Sequence, residues 1–104
     1  MSVDVASARR DWQEGHRRLL EQARDAARAQ QLYAQVEAVT AELRKRVGAT
    51  FTLRELAEAY ARADDWARDV VAEQAAGRGW ARTVSLATDA AFYLYARGAV
   101  DYAP

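Results

Sequence analysis

Residues 7–46 read SARRDWQEGHRRLLEQARDAARAQQLYAQVEAVTAELRKR, forty positions with one Gly, Gly15, and no Pro. Ala, Arg, Gln, Glu and Leu fill most of them, and these are the residues that lose least on entering a helix. A seven-residue recurrence runs through the stretch: Val5, Trp12, Leu19, Ala26, Tyr33, Thr40 and Val47, with Ala8, Ala29, Val36 and Leu43 supplying much of a companion stripe. Between Leu20 and Leu32 no apolar side chain exceeds Ala, so a turn or a close helix approach belongs there. One helix of forty residues would span ~60 Å, against a radius of gyration near ~13 Å for a compact chain of this size. Length therefore favours two helices, 7–24 and 28–47, folded back as an antiparallel pair with Asp25 capping the bend. The alternative, one long coiled-coil-like helix, requires a partner chain to cover Trp12, Leu19, Tyr33 and Val36.

The region ends at Gly48-Ala49-Thr50-Phe51, with Arg44, Lys45 and Arg46 in the last turn, where cations favour the negative end of the helix dipole. Thr52 and Glu55 form a T-x-x-E capping box, and Phe51 is placed to staple against Leu56. A helix starting at Leu53 keeps its spacing through Leu56, Ala57, Tyr60, Ala67, Val70 and Val71, with a bend expected near Ala63 and a fresh start capped by Asp64 or Asp65. Gly77-Arg78-Gly79 marks the next break. A last helix, capped by Thr83 or Ser85, is expected to end at Gly98. Phe92-Tyr93-Leu94-Tyr95 puts large side chains on every face of one turn, the pattern of a helix packed on several sides or partly inside an interface.

Composition agrees. The chain has 104 residues and is 51% hydrophobic, but 25 of its residues are Ala, none is Ile and one is Pro. Sandwiches and barrels need β-branched runs and frequent turns, so the expected class is all-α: a small bundle of four to five helices in a single domain over 1–104, with a long helical region at 1–47 and a C-terminal one at 52–104. No cysteine is present, which excludes disulfides, thiolate metal sites and a thiol nucleophile. The opening residues carry no signal-peptide stretch, and no apolar run approaches the ~20 residues of a membrane span; a cytoplasmic setting is expected. Fifteen basic and fifteen acidic residues balance, leaving no overall field to attract nucleic acid or anionic lipid.

Chemical constellations are sparse. His16, the lone histidine, lies near the apolar side between Trp12 and Leu19 without a nucleophile beside it, and reads as a packed or boundary residue. Asp64, Asp65, Asp69 and Glu73 share helical spacing but lack the Glu-x-x-His of helical metal proteins, so they read as a solvated acidic face. Gly77-Arg78-Gly79 lacks the Lys-Ser/Thr of a phosphate loop. No catalytic residue, cofactor or metal site is expected, and the chain is read as a non-enzyme.

Residues 52–74 look like a helix-turn-helix. Ala61, however, stands where the turn Gly is usual, and the second helix would offer Asp64, Asp65, Asp69 and Glu73 against Arg68, repelling phosphates. DNA binding by a transcriptional regulator is therefore the alternative. The preferred reading is a non-enzymatic, regulatory or adaptor protein–protein interaction module, with self-association as a homodimer within that reading and nucleic acid disfavoured. Large amphipathic rings often anchor interfaces, so the candidate interface residues are Trp12, Tyr33, Trp66, Trp80, Phe92, Tyr93, Tyr95 and Tyr102. The segments 89–104 (DAAFYLYARGAVDYAP) and 51–60 (FTLRELAEAY) are similar to small helical actinobacterial proteins of unassigned function; the resemblance implies a bacterial cytoplasmic setting and carries over no activity or site.

Overall fold

A computed structural model describes residues 4–74 and 80–100, and among these every regular element is helical. In chain order they are α1 (Val5–Gln22), α2 (Ala26–Val47), α3 (Leu53–Ala61), a 3₁₀ turn (Ala63–Asp65), α4 (Ala67–Gln74), α5 (Trp80–Tyr95) and a second 3₁₀ turn (Ala96–Gly98). The Gly77-Arg78-Gly79 break falls outside the described residues.

The N-terminal stretch is two helices. Asp4 caps the first by accepting from the Ser7 N–H at 3.2 Å, and Asp25 caps the second by accepting from the Ala27 and Arg28 N–H groups, meeting donors that a helix start leaves unpaired. End to end these helices would reach ~60 Å, whereas the longest dimension of the molecule is 36 Å. Gly48, at φ 85°, closes α2 in a conformation that favours Gly. Thr52 and Glu55 form the expected capping box for α3, and Phe51 and Leu56 beside it are both buried.

The hairpin's arms do not find each other. Gly15 of α1 meets Asp89 of α5, and Trp12 stacks on Phe92, so α1 and α5 run antiparallel. Thr83 donates to Gln35 at 2.8 Å, and Tyr95 donates to the Gly48 carbonyl at 2.8 Å, so α2 and α5 run parallel. The last helix is thus inserted between the first two, which touch little beyond their bend. Small residues permit this insertion: Ala87, Ala90 and Ala91 of α5 are all fully buried. Helix α4 closes the far side against α2 and α5, and α3 packs on α1.

Two expectations are corrected here. Helix α5 is already under way at Thr83 and Ser85, so neither caps it; Thr83 serves the buried Gln35 instead. Of the seven-residue recurrence, the stripe through Tyr33 does not stay buried past the bend, whereas Val36 and Leu43 of the companion stripe do. Helix α2 buries Leu32, Gln35, Val36, Val39 and Leu43, while Tyr33 stays 47% exposed.

Candidate functional site

A glycine inside a helix costs about 1 kcal/mol relative to Ala, so Gly15 needs a reason. A Cβ built on it would stand 2.2 Å from the Asp89 Cβ, a separation no real side chain tolerates. The bare backbone is what lets α1 and α5 approach closely, and the polar groups of interest gather around this crossing.

One set surrounds Asp89. The Tyr60 hydroxyl donates to its Oδ1 at 2.7 Å, and both border an open depression of about 450 Å³ between the α3–α4 corner and α5, with Asp64, Arg68, Ser85 and Thr88 on the same wall. Burial pushes the Asp89 carboxyl up to about 6, the charges of Asp11 and Asp64 add to the rise, and the Tyr60 hydrogen bond opposes it. The Tyr60 phenol is raised in turn, by burial first and then by its acidic acceptor. Among the described residues no three His, Asp or Glu side chains are grouped to hold a metal ion.

The second set lies in a groove of about 460 Å³ along α1, where His16 stacks on Tyr93 of α5 with centroids 4.6 Å apart. Burial and the nearby Arg97 charge hold His16 below its usual pKa, so its ring is neutral and serves as a flat aromatic partner at pH 7. Arg10 and Leu20 border the groove, and Leu20 is 45% exposed. Glu14 also borders it, but ion pairs with Arg17 and Arg18 occupy this carboxylate and hold its pKa down to about 2, the Arg17 hydrogen bond being the main cause. A smaller cavity of about 150 Å³ adjoins the groove through Gln13 and Tyr93 and is bordered further by Arg9, Trp12, Ala96 and Arg97. The Arg97 guanidinium lies 5.3 Å from the Tyr93 ring centre.

The eight candidate interface residues divide sharply. Trp12, Trp66 and Phe92 are buried and belong to the chain's own core, which corrects their assignment to a partner surface. Trp12, Phe92 and Tyr60 form one aromatic cluster with centroids 5.1–5.8 Å apart, and Arg46 lies over the Trp66 ring at 4.9 Å. Tyr95 is half-buried and stacks on Phe51 at 5.0 Å. Tyr93 and the exposed Tyr33 remain accessible; Tyr102 and the Trp80 side chain lie outside the described residues. Of the last helical turn only Leu94, 41% exposed, lacks cover of this kind. Sequence reasoning missed Gly15, Tyr60 and Asp89 as a unit, although an interior helical Gly is itself a signal of close approach.

No protein-family model matches the chain, and no curated protein or solved structure is significantly similar to it.

Proposed function

We propose that this chain is a non-enzymatic helical interaction module, regulatory or adaptor in role, whose α1–α5 groove receives an acidic segment of a protein partner. The observation that carries the reading is the charge imbalance of the groove. Arg10 borders the groove and Arg97 its adjoining cavity, while the carboxylate there, Glu14, is already paired with other arginines. Neutral His16 and Tyr93 add a flat aromatic surface and Leu20 an exposed aliphatic one, a mixture typical of recognition surfaces. A cytoplasmic setting is part of the same proposal; no described helix is long and apolar enough to cross a membrane.

The helix-turn-helix alternative has less support. A 3₁₀ turn separates α3 from α4, and Asp64, Asp65 and Asp69 are exposed there beside Arg68, an arrangement that opposes phosphates. The test is fluorescence anisotropy with a labelled peptide of alternating Glu and Leu, paired with sedimentation of the protein alone. The expected result is salt-sensitive peptide binding, weakened at least tenfold by Arg10→Glu, by a chain that sediments as a monomer. Sedimentation as a dimer through this groove would replace the partner with a second copy. Tighter binding to random duplex DNA than to the peptide would restore the transcriptional reading.

A further inference from the structure

We propose that the α1–α5 groove takes up a proton at His16 as it receives its acidic segment, so that the module holds its partner more tightly as pH falls below about 7. This device rests on the acidic-partner reading of the groove and supplies its regulation. His16 borders the groove half-buried and stacks on Tyr93 with centroids 4.6 Å apart. Arg97, one turn beyond Tyr93 on α5, lies over the same tyrosine at 5.3 Å. Burial, and then the Arg97 charge, hold the imidazole below its usual pKa, so the free groove carries a neutral ring at pH 7. The other ionisable groups around it are cations or are engaged elsewhere. Arg10 and Arg17 border the groove with His16, and Glu14 is held by Arg17 and Arg18. Arg9 borders the adjoining cavity and already has a partner. Asp89, one turn before Tyr93 on α5, accepts from the Tyr60 hydroxyl of α3 at 2.7 Å, in the other depression.

A carboxylate docked against Arg10 and Arg97 acts on His16 in two ways. It offsets the guanidinium charge that disfavours the imidazolium, and its own opposite charge, within ~4–6 Å, favours it. Covering the rest of the ring works against protonation, but more weakly, because the ring is already half-buried with one face on Tyr93. The bound imidazole therefore titrates at a higher pH than the free one. Between the two values the complex keeps a proton that the free chain has lost, so affinity rises as pH falls through that window and is level above it.

The chain has one histidine, so the His16 Cε1–H signal is read directly by NMR. The full chain is titrated from about pH 8 to about pH 5.5, free and saturated with the Glu-Leu peptide, whose carboxylates stay ionised over this range. The expected result is a His16 midpoint about one pH unit higher in the complex, with peptide affinity, by anisotropy, at least about threefold tighter at the acid end. His16→Phe keeps a flat ring for Tyr93 and removes the proton; it should bind as the parent does at about pH 8 and lose the gain at about pH 5.5. Asp89 titrates at about 6 and is intact in that variant, so a gain that His16→Phe retains in full assigns the pH dependence to Asp89 and overturns the proposal. A His16 midpoint unmoved or lowered by a peptide that binds overturns it equally and leaves the groove reading standing. Failure of the peptide to bind at either pH removes both. If His16→Phe loses its helical circular dichroism, the midpoints of the parent decide alone.

Discussion

Helix α5 has two unlike sides. Toward α2 and α4 it meets an aliphatic layer in which Leu32, Val39, Leu43 and Val71 are almost fully buried. Toward α1 and α3 it meets an aromatic cluster, a glycine crossing, a half-buried carboxylate and a row of arginines. Apolar transfer out of water does the work on the first side, at about 25 cal/mol per Å² buried. On the second, part of that gain is spent on holding charged and polar groups close together. The difference separates two kinds of packing, an aliphatic layer where α5 faces α2 and an aromatic and polar crossing where it faces α1, the side on which the proposed recognition falls.

The largest effect is expected on the aliphatic side. Leu43 is fully buried, and Leu43→Ala leaves a cavity that should cost about 2–5 kcal/mol, a large share of the ~5–15 kcal/mol typical of a small domain. Urea unfolding measures it, and indole signals from the Trp12 side should keep their native dispersion. If they collapse with the mutation, the two sides of α5 are one cooperative layer and the contrast fails.

The glycine crossing comes next. Gly15→Ala gains up to about 1 kcal/mol in helix propensity but places a methyl where the Asp89 side chain already stands, and overpacking of that kind costs about 1–3 kcal/mol. Net destabilisation of about 1–2 kcal/mol is expected, together with a weakened Tyr60–Asp89 hydrogen bond. A stabilised variant would mean that α1 and α5 are not held in close contact at Gly15.

The contrast also decides how much could be read in advance. The caps at Asp25 and Thr52 and the stop at Gly48 depend on a few adjacent residues, and sequence alone places them. The neighbour of each helix depends on distant residues. Nothing local says that α5, rich in small residues at Ala87, Ala90 and Ala91, will wedge between two helices that look made for each other. The aromatic residues misled for the same reason: Trp12 and Phe92 fill a core only because α5 brings them together, and Tyr33 is left outside because the buried row of α2 runs through Leu32, Val36, Val39 and Leu43. Asp89 looked like any surface carboxylate until Gly15 and Tyr60 closed on it.

A pH experiment sharpens the polar side. The folded Asp89 carboxyl titrates at about 6, above its ordinary value of 3.8. Between these values the folded chain keeps a proton that the unfolded chain has lost, so this group's contribution to stability falls as pH rises from about 4 to about 6 and is level above. Asp89→Asn retains an acceptor for Tyr60 and removes the charge. It should therefore be more stable than the parent at pH 7 by about 1–2 kcal/mol, once screening of a half-exposed group is allowed for. His16 acts in the opposite sense, since its lowered pKa makes stability fall as pH drops below 6.5. The difference between parent and Asp89→Asn isolates the carboxylate. Tyr60→Phe removes the hydrogen bond that holds the carboxyl down and should raise its titration further, measured by ¹³C carboxyl shifts. An unchanged or lowered value would mean that the hydroxyl does not bond to the carboxylate in solution.

The smallest effect is the one expected at Tyr33. Half of this ring faces solvent on α2, away from the helix's buried row of Leu32, Val36, Val39 and Leu43, and surface substitutions of this kind usually change stability by less than ~0.5 kcal/mol. Tyr33→Ser should unfold at nearly the parent urea midpoint and sediment as the parent does. The result discriminates because Tyr33 lies on the seven-residue seam with Trp12 and Leu19, the seam a long unbroken helix would bury against a second chain. In that arrangement Tyr33→Ser removes an interface ring, and self-association would fall by tenfold or more. In the folded hairpin the turn at Asp25 has already taken Tyr33 off the seam and α5 covers Trp12, so nothing remains for a second copy to protect there. A parent chain that dimerises, and a variant that does not, would show that the bend opens in solution and that the α1–α5 contact gives way to contact between chains.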